Sequence, residues 1–387
     1  MPPTFYKRIA ILLTGFAVLI SGNGLLGTLL SLRLASPAFS PMAVGIVQSA
    51  YYLGFMLGAL SAGHLIARIG HHRAFSVFAI VVACASLAHA FLGTLAAWFV
   101  LRLVTGVCLA GIFSVLESLL NTAASNQVRG RVFAFYMMTT YLGVASGQLM
   151  LNLANPSGFE LFALVSVLFS ASLLPVLLAG RHDARATHSR SGHRFDLKGV
   201  VATVRIGPLG MCGCVLAGLL NSSFYALMPV FLKGIHLSVG ALSGVMFAAL
   251  LTALVFQWPV GVLSDRMDRS KVLLLSCMAV GGVSFIMVSG RGQGGLEWLV
   301  CLYAAVAFTV YPLSVAMIND RIPHDLRIPA SAAVLLMFSV GGCAGPVMAS
   351  LAVAWLGPDG LFGFSICATG ALTTLVLAVL FRAGRNA

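Results

Sequence analysis

The stretch GHLIARIGHHRAF (Gly63–Phe75) returns 198 residues later as GVLSDRMDRSKVL (Gly261–Leu273). Each copy follows a long apolar run and closes on a short basic cluster. Each sets glycine, leucine and arginine at one spacing: Gly63, Leu65 and Arg68, then Gly261, Leu263 and Arg266. The offset is not confined to these phrases. It carries Asn23 to Asn221, Asn121 to Asn319, and Gly143 and Gly147 to Gly341 and Gly345, without a gap. Asparagine occurs only eight times in 387 residues, so two such pairs at one offset point to an ancestral duplication. The chain reads as one unit written twice.

The unit is apolar. Hydrophobic residues make up 59% of the chain and charged residues 9%, with a mean hydropathy of +1.00. A soluble domain carries about 25% charged residues, so this chain cannot wet an ordinary globular surface. Its apolar residues come in blocks of about 18 or more, long enough to cross the hydrocarbon layer. These fall near 9–32, 42–66, 74–92, 96–120, 131–154 and 159–179, then 207–232, 239–263, 272–290, 296–319, 328–352 and 358–381. The first follows Lys7 and Arg8 but exceeds the roughly 7–15-residue core of a secretory signal, so it reads as a membrane helix.

The net charge of +13 could suggest a nucleic-acid partner, but the basic residues sit in the gaps between apolar blocks. With twelve spans and cytoplasmic termini, nineteen of the 23 lysines and arginines are cytoplasmic. Three (Arg33, Lys233, Arg291) lie on the other side, and Arg102 lies within a span. That asymmetry fixes the orientation. The eight cysteines lie in or beside apolar blocks and suggest no disulfide framework. His182, His188 and His193 fall in the one long polar stretch without acidic or cysteine partners, which reads as a solvated basic linker rather than a metal site. The expected fold is all-α integral membrane, with twelve transmembrane helices in two pseudo-symmetric six-helix halves. These are residues 1–179 and 205–387, joined by a basic cytoplasmic linker at 180–204.

The paired phrases resemble the loop signature of the major facilitator superfamily, roughly Gly-x-Leu-small-Asp-Arg-x-Gly-basic-basic. The second copy keeps Asp265 and Arg266 but has Asp268 where glycine is usual; the first keeps Gly63, Leu65, Arg68 and Gly70 but carries Ala67 in place of the aspartate. "GNGLLGTLLSLRL", "QSAYYLGFMLG", "ESLLN" with "RGRVFAFYM", and "GGCAGP" are similar to the YcaD-like bacterial branch of that superfamily. The resemblance implies a secondary transporter working by alternating access, with its substrate site near the bilayer midplane.

An ionisable group within a span is costly and so a functional candidate. Arg102 opens "RLVTG", similar to the family's fourth-helix Arg-x-x-x-Gly, with Gly106 and Ala110 on the same helical face. It reads either as a substrate residue or as a packing arginine bonded to backbone. Glu117, fifteen residues on, is the one acid clearly inside an apolar block. It reads as a titrating acid or as part of an ionic latch with Arg68, Arg129 and Arg131; the latch is preferred, and Asp265 and Arg266 belong to its counterpart in the second copy. Asn23, Asn221, Tyr225, Tyr311 and Gln148 are further substrate-lining candidates, each of which could equally be an inter-helix hydrogen bond. The family's drug exporters place a Gly-Pro in the fifth helix; here Gly345-Pro346 lies in the eleventh and Gln148 stands at the matching place.

These readings favour a multi-pass transporter of the bacterial inner membrane that moves a small organic solute, with both termini cytoplasmic. Proton-coupled export of a metabolite or toxic compound is the leading expectation. Uptake of an organic anion by symport is the alternative, since a buried guanidinium suits carboxylate or phosphate. A non-transporting receptor on the same fold is the reading from another class. Enzymatic chemistry is not expected, as no metal cluster or nucleophile–base set lies at matched depth. No cofactor is expected, and the partners are the solute, the lipid bilayer and protons, with the chain a monomer.

Overall fold

The computed structural model describes residues 3–124, 127–178, 197–290, 295–323 and 326–385, and none of these is in a strand. The helices of the first copy are α1 (Pro3–Leu34), α2 (Pro41–Ile69), α3 (His71–Phe91), α4 (Leu95–Ala123), α5 (Arg129–Leu149), α6 (Glu160–Ala171) and α7 (Leu173–Leu178). A short helix, α8 (Leu197–Ile206), precedes the second copy. That copy holds α9 (Pro208–Gly234), α10 (Val239–Arg266), α11 (Arg269–Ser289), α12 (Leu296–Ala307), α13 (Val310–Asn319), α14 (Arg327–Leu356) and α15 (Gly360–Arg385).

Among the described residues, nine stretches are long and apolar enough to cross a membrane, one of which (Pro329–Phe381) contains both α14 and α15. The shorter apolar α6–α7 and the 21-residue α5 complete twelve spans. The outer surface is apolar as well as the core, as lipid as solvent requires. Val255, Phe285, Trp298 and Trp355 are exposed, while Ser222, Ser284 and Ser365 are fully buried. Two spans are broken where proline removes a backbone donor. Pro312 cannot bond the Phe308 carbonyl and Pro175 cannot bond that of Ala171, and the chain leaves helix at Phe308–Thr309 and at Ser172.

Residues 180–196 of the expected linker lie outside the described residues. Its last part is not the solvated stretch expected: α8 is helical because it has an apolar face to bury. Val200 packs with Met211, Ile318, Ile322, Ala333 and Val334, while Arg205 on the same helix is exposed.

By their internal contacts the residues form two compact units, Met1–Arg33 with Ala50–Arg194, and Leu34–Ser49 with Phe195–Ala387. The start of α2 therefore belongs with the second unit. There Ser49 donates to the Cys343 carbonyl at 2.6 Å, and Gly45 lies so near α14 that a methyl on it would sit 2.6 Å from the Pro346 carbonyl oxygen.

Each unit contains a seam in which its first and fifth spans meet backbone to backbone. In the first, α5 lies on α1: Gly143 faces the Ala17 carbonyl and Gly147 that of Ser21. In the second, α14 lies on α9: Gly341 faces the Val215 carbonyl and Gly345 that of Leu219. All four residues of the second seam are those of the first moved by 198 positions. The duplication read from sequence is thus kept in the contact register itself. Small residues permit this approach, and close backbone packing replaces the hydrophobic drive that lipid cannot supply.

The repeated loop also explains its own departure from pattern. Gly70, before α3, has φ +82°, which glycine adopts without strain. Its equivalent Asp268 has φ −56° and caps α11 instead, accepting from Ser270 N at 2.8 Å and Lys271 N at 3.3 Å. Asp268→Ala is expected to destabilise the protein by about 1 kcal/mol and Asp268→Gly by a few tenths, read from thermal unfolding in detergent. Equal losses would show that the carboxylate does not cap.

Candidate functional site

In the first unit α2 and α4 form a second close contact. A methyl on Gly58 would lie 2.8 Å from Val107 Cα, and one on Gly106 would lie 2.7 Å from the Phe55 backbone nitrogen. This approach carries Arg102 onto Tyr51. The guanidinium carbon sits 4.6 Å from the Tyr51 ring centroid, in a side chain only 4% exposed. Gly27 of α1 makes room on the other flank, where a Cβ would lie 3.4 Å from Arg102 Nη2. A cation on an aromatic face contributes about 2 kcal/mol or more when desolvated. Asn23 lies beside the Tyr51 hydroxyl, and its own buried Oδ1 has no hydrogen-bond partner. Arg102, Tyr51 and Asn23 thus form one cluster drawn from α4, α2 and α1.

From Tyr51 a row of rings runs along the unit. Tyr52 meets Tyr51 edge-on at 5.1 Å, Phe55 lies 6.1 Å from Tyr51, and Phe113 meets Phe55 edge-on at 5.8 Å. Behind them Phe16 and Tyr136 are buried, with centroids 5.2 Å apart. Tyr136 donates its hydroxyl to Glu117 Oε1 at 3.2 Å. Arg68, Arg129 and Arg131 are exposed, and Glu117 forms an ion pair with none of them among the described residues. In the second unit Asp265 and Arg266 are both exposed. Asp265 pairs with Arg269 at 3.6 Å, and Arg269 also holds Asp320 at 2.8 Å.

The remaining sequence candidates are placed as follows. Asn221 is 8% exposed, and its Oδ1, like that of its repeat partner Asn23, is buried without a hydrogen-bond partner. Tyr225 packs edge-on against Phe308 at 5.5 Å, and Tyr311 against Phe338 at 4.9 Å. Gln148 is fully buried in the α1–α5 seam. It accepts from Thr28 Oγ1 at 2.6 Å and donates to the carbonyls of Gly24 and Val144, each at 3.2 Å. Both its amide protons are used, so it staples helices and has no donor left for a solute.

Sequence reasoning passed over Tyr51. The signal was present: Tyr51, Gly54 and Gly58 share one helical face, and small residues mark the face that packs closely. His89 was also passed over. It is buried against Phe162 with near-parallel rings 6.1 Å apart, and its Nδ1–H donates to the Ala85 carbonyl at 2.7 Å.

A family model described as Major Facilitator Superfamily matches residues 11–310 and 245–387. The chain belongs to the major facilitator superfamily. It is therefore a multi-pass membrane transporter of the secondary type, built on that superfamily's twelve-helix fold. Among its relatives is the MFS-type transporter YcaD of Escherichia coli O17:K52:H18, 31% identical over 347 residues, which cover 89% of this chain and 88% of that one. Solved structures share the superfamily fold at much lower identity. The nucleoside transporter NupG superposes with a TM-score of 0.81 at 13% identity, covering 98% of this chain and 99% of NupG. A D-xylose-proton symporter superposes with a TM-score of 0.69 at 14% identity, covering 97% and 96%. At these identities the two structures speak for the fold alone.

Proposed function

We propose that this transporter carries a small organic solute through an anionic group that engages Arg102. One observation carries the reading. A buried charge is expensive, and the fold does not need one at this position. The repeat equivalent of Arg102 is Val300, which is fully buried. Next to it, Cys301 lies against Thr252, the equivalents of Leu103 and Gly54, which also meet. The two helix pairs therefore keep one register, one with an arginine and the other with a valine. Packing alone accepts valine.

The test is thermal unfolding of the purified protein in detergent against small organic anions, zwitterions and cations. A ligand at about 100 times its dissociation constant raises stability by roughly 2.7 kcal/mol. Anions are expected to raise the wild-type midpoint, with Arg102→Ala binding them about 10- to 150-fold more weakly, the range for losing a charged hydrogen bond. Cations stabilising wild type and Arg102→Ala alike would make Arg102 a packing residue.

The rest of the reading concerns coupling, topology and direction. Transport is proton-coupled export across the bacterial inner membrane, by two six-helix halves at 1–179 and 205–387 with cytoplasmic termini. The charge asymmetry supports the topology. Oriented vesicles decide direction: solute leaving against its gradient when protons enter supports export, and co-accumulation with protons selects the uptake alternative.

A further inference from the structure

We infer that the anionic solute held at Arg102 carries its charge on an aromatic body. The inference rests on the anion reading above and specifies it. Tyr51, Tyr52, Phe55 and Phe113 are each partly exposed, whereas Phe16 and Tyr136 behind them are 0% and 1% exposed. The row thus has a packed back and an open front, and it begins at the guanidinium. It does not face the side of α2 that is most open. At 100° per residue, Tyr51, Phe55 and Gly58 lie within about 60° of one another, and the exposed Leu57 and Leu60 lie on the opposite side.

The duplication supplies an internal control. Moved by 198 residues, Tyr51, Tyr52 and Phe55 become Ala249, Leu250 and Ala253. These three are buried with 0% exposure, so the same helix position in the second unit packs without any ring. Phe113 becomes Tyr311, an aromatic position in both copies that the fold can account for. Three rings and one arginine are thus specific to the first unit, and they touch. Packing does not explain a difference that packing tolerates in the other copy. Recognition does: the arginine takes the charge, and the ring edges and faces take a flat conjugated body in offset or edge-on contact. The Asn23 carbonyl oxygen, buried without a donor, adds a place for a hydroxyl or N–H on that body.

The test uses three matched pairs of probes: benzoate with cyclohexanecarboxylate, 3-phenylpropionate with 3-cyclohexylpropionate, and 1-naphthoate with its decahydro analogue. Each pair shares its charge and carbon skeleton and differs in aromaticity. Dissociation constants come from the concentration dependence of the unfolding midpoint, each variant being referred to its own ligand-free value. In at least one pair the aromatic member is expected to bind about tenfold tighter, the worth of one or two ring–ring contacts. Phe55→Leu should bring that ratio close to one while Phe55→Tyr preserves it, and Arg102→Ala should weaken both members. If Phe55→Leu does not fold, Tyr52→Leu is read the same way. Equal binding within every pair, still dependent on Arg102, would overturn the aromatic inference and leave the anion reading standing. No binding by any probe, or binding indifferent to Arg102, would overturn both.

Discussion

Gly341→Ala is expected to destabilise the protein by about 3 kcal/mol, the upper range for overpacking a close-packed interior. The added methyl would fall within the van der Waals envelope of the Val215 carbonyl oxygen and 2.9 Å from the Leu219 nitrogen. Both obstacles are backbone of α9, so relief requires the whole helix to move. The repeat-equivalent Gly143→Ala meets a different obstacle. There the nearest atom is Cγ2 of Ile20, while the Ala17 carbonyl is 3.2 Å away. Ile20 can turn to a less favoured rotamer, so the loss should be about 1–2 kcal/mol. Gly244→Ala, inside α10 with nothing within 4 Å, should be neutral or stabilise by up to about 1 kcal/mol through helix propensity. Unfolding midpoints of the three in one detergent give the ranking. Gly341→Ala no worse than Gly244→Ala would mean that α14 does not touch α9 as described.

Tyr136→Phe is expected to lower stability by about 2 kcal/mol, because it leaves a half-buried carboxyl without its hydrogen-bond donor. The ring itself, packed among Phe16, Phe113 and Phe133, is retained, so little is lost to a cavity. In a Glu117→Gln background the same change should matter less, since an amide is easier to leave with one bond fewer. A coupling of about 1 kcal/mol or more between the two substitutions is therefore expected. Neutralising Arg68, Arg129 or Arg131 singly should stay within about 0.5 kcal/mol, as for most exposed positions. A large loss in Arg129→Gln or Arg131→Gln with no effect of Tyr136→Phe would restore the ionic latch as the better account of Glu117.

Sequence carried the fold further than the site. The offset that pairs Gly143 with Gly341 also pairs the carbonyls they face, so a spacing visible in one dimension was a three-dimensional register. Helices are local, and a span's apolar length is legible without knowing its neighbours. Side-chain direction is different. Tyr51 and Tyr52 are adjacent in sequence but about 100° apart around α2, and only contact with α4 selects between them. Gln148 looked like a cavity residue because it is polar in a span; its partners on α1 lie 120 or more residues away. In the charged loop the pairing was not visible, since Arg269 rather than Arg266 lies within reach of Asp265 and Asp320.

A seam made of backbone is indifferent to what the remaining faces of its helices become. Once Gly143 and Gly147, and their descendants Gly341 and Gly345, fixed where the helices meet, each copy could drift in its own direction without losing its architecture. Arg102 beside Tyr51 in one copy, and Val300 beside Ala249 in the other, are two such histories from one starting sequence. New specificities in this lineage should therefore arise by rewriting one copy's α2 and α4 while the other preserves the inherited frame.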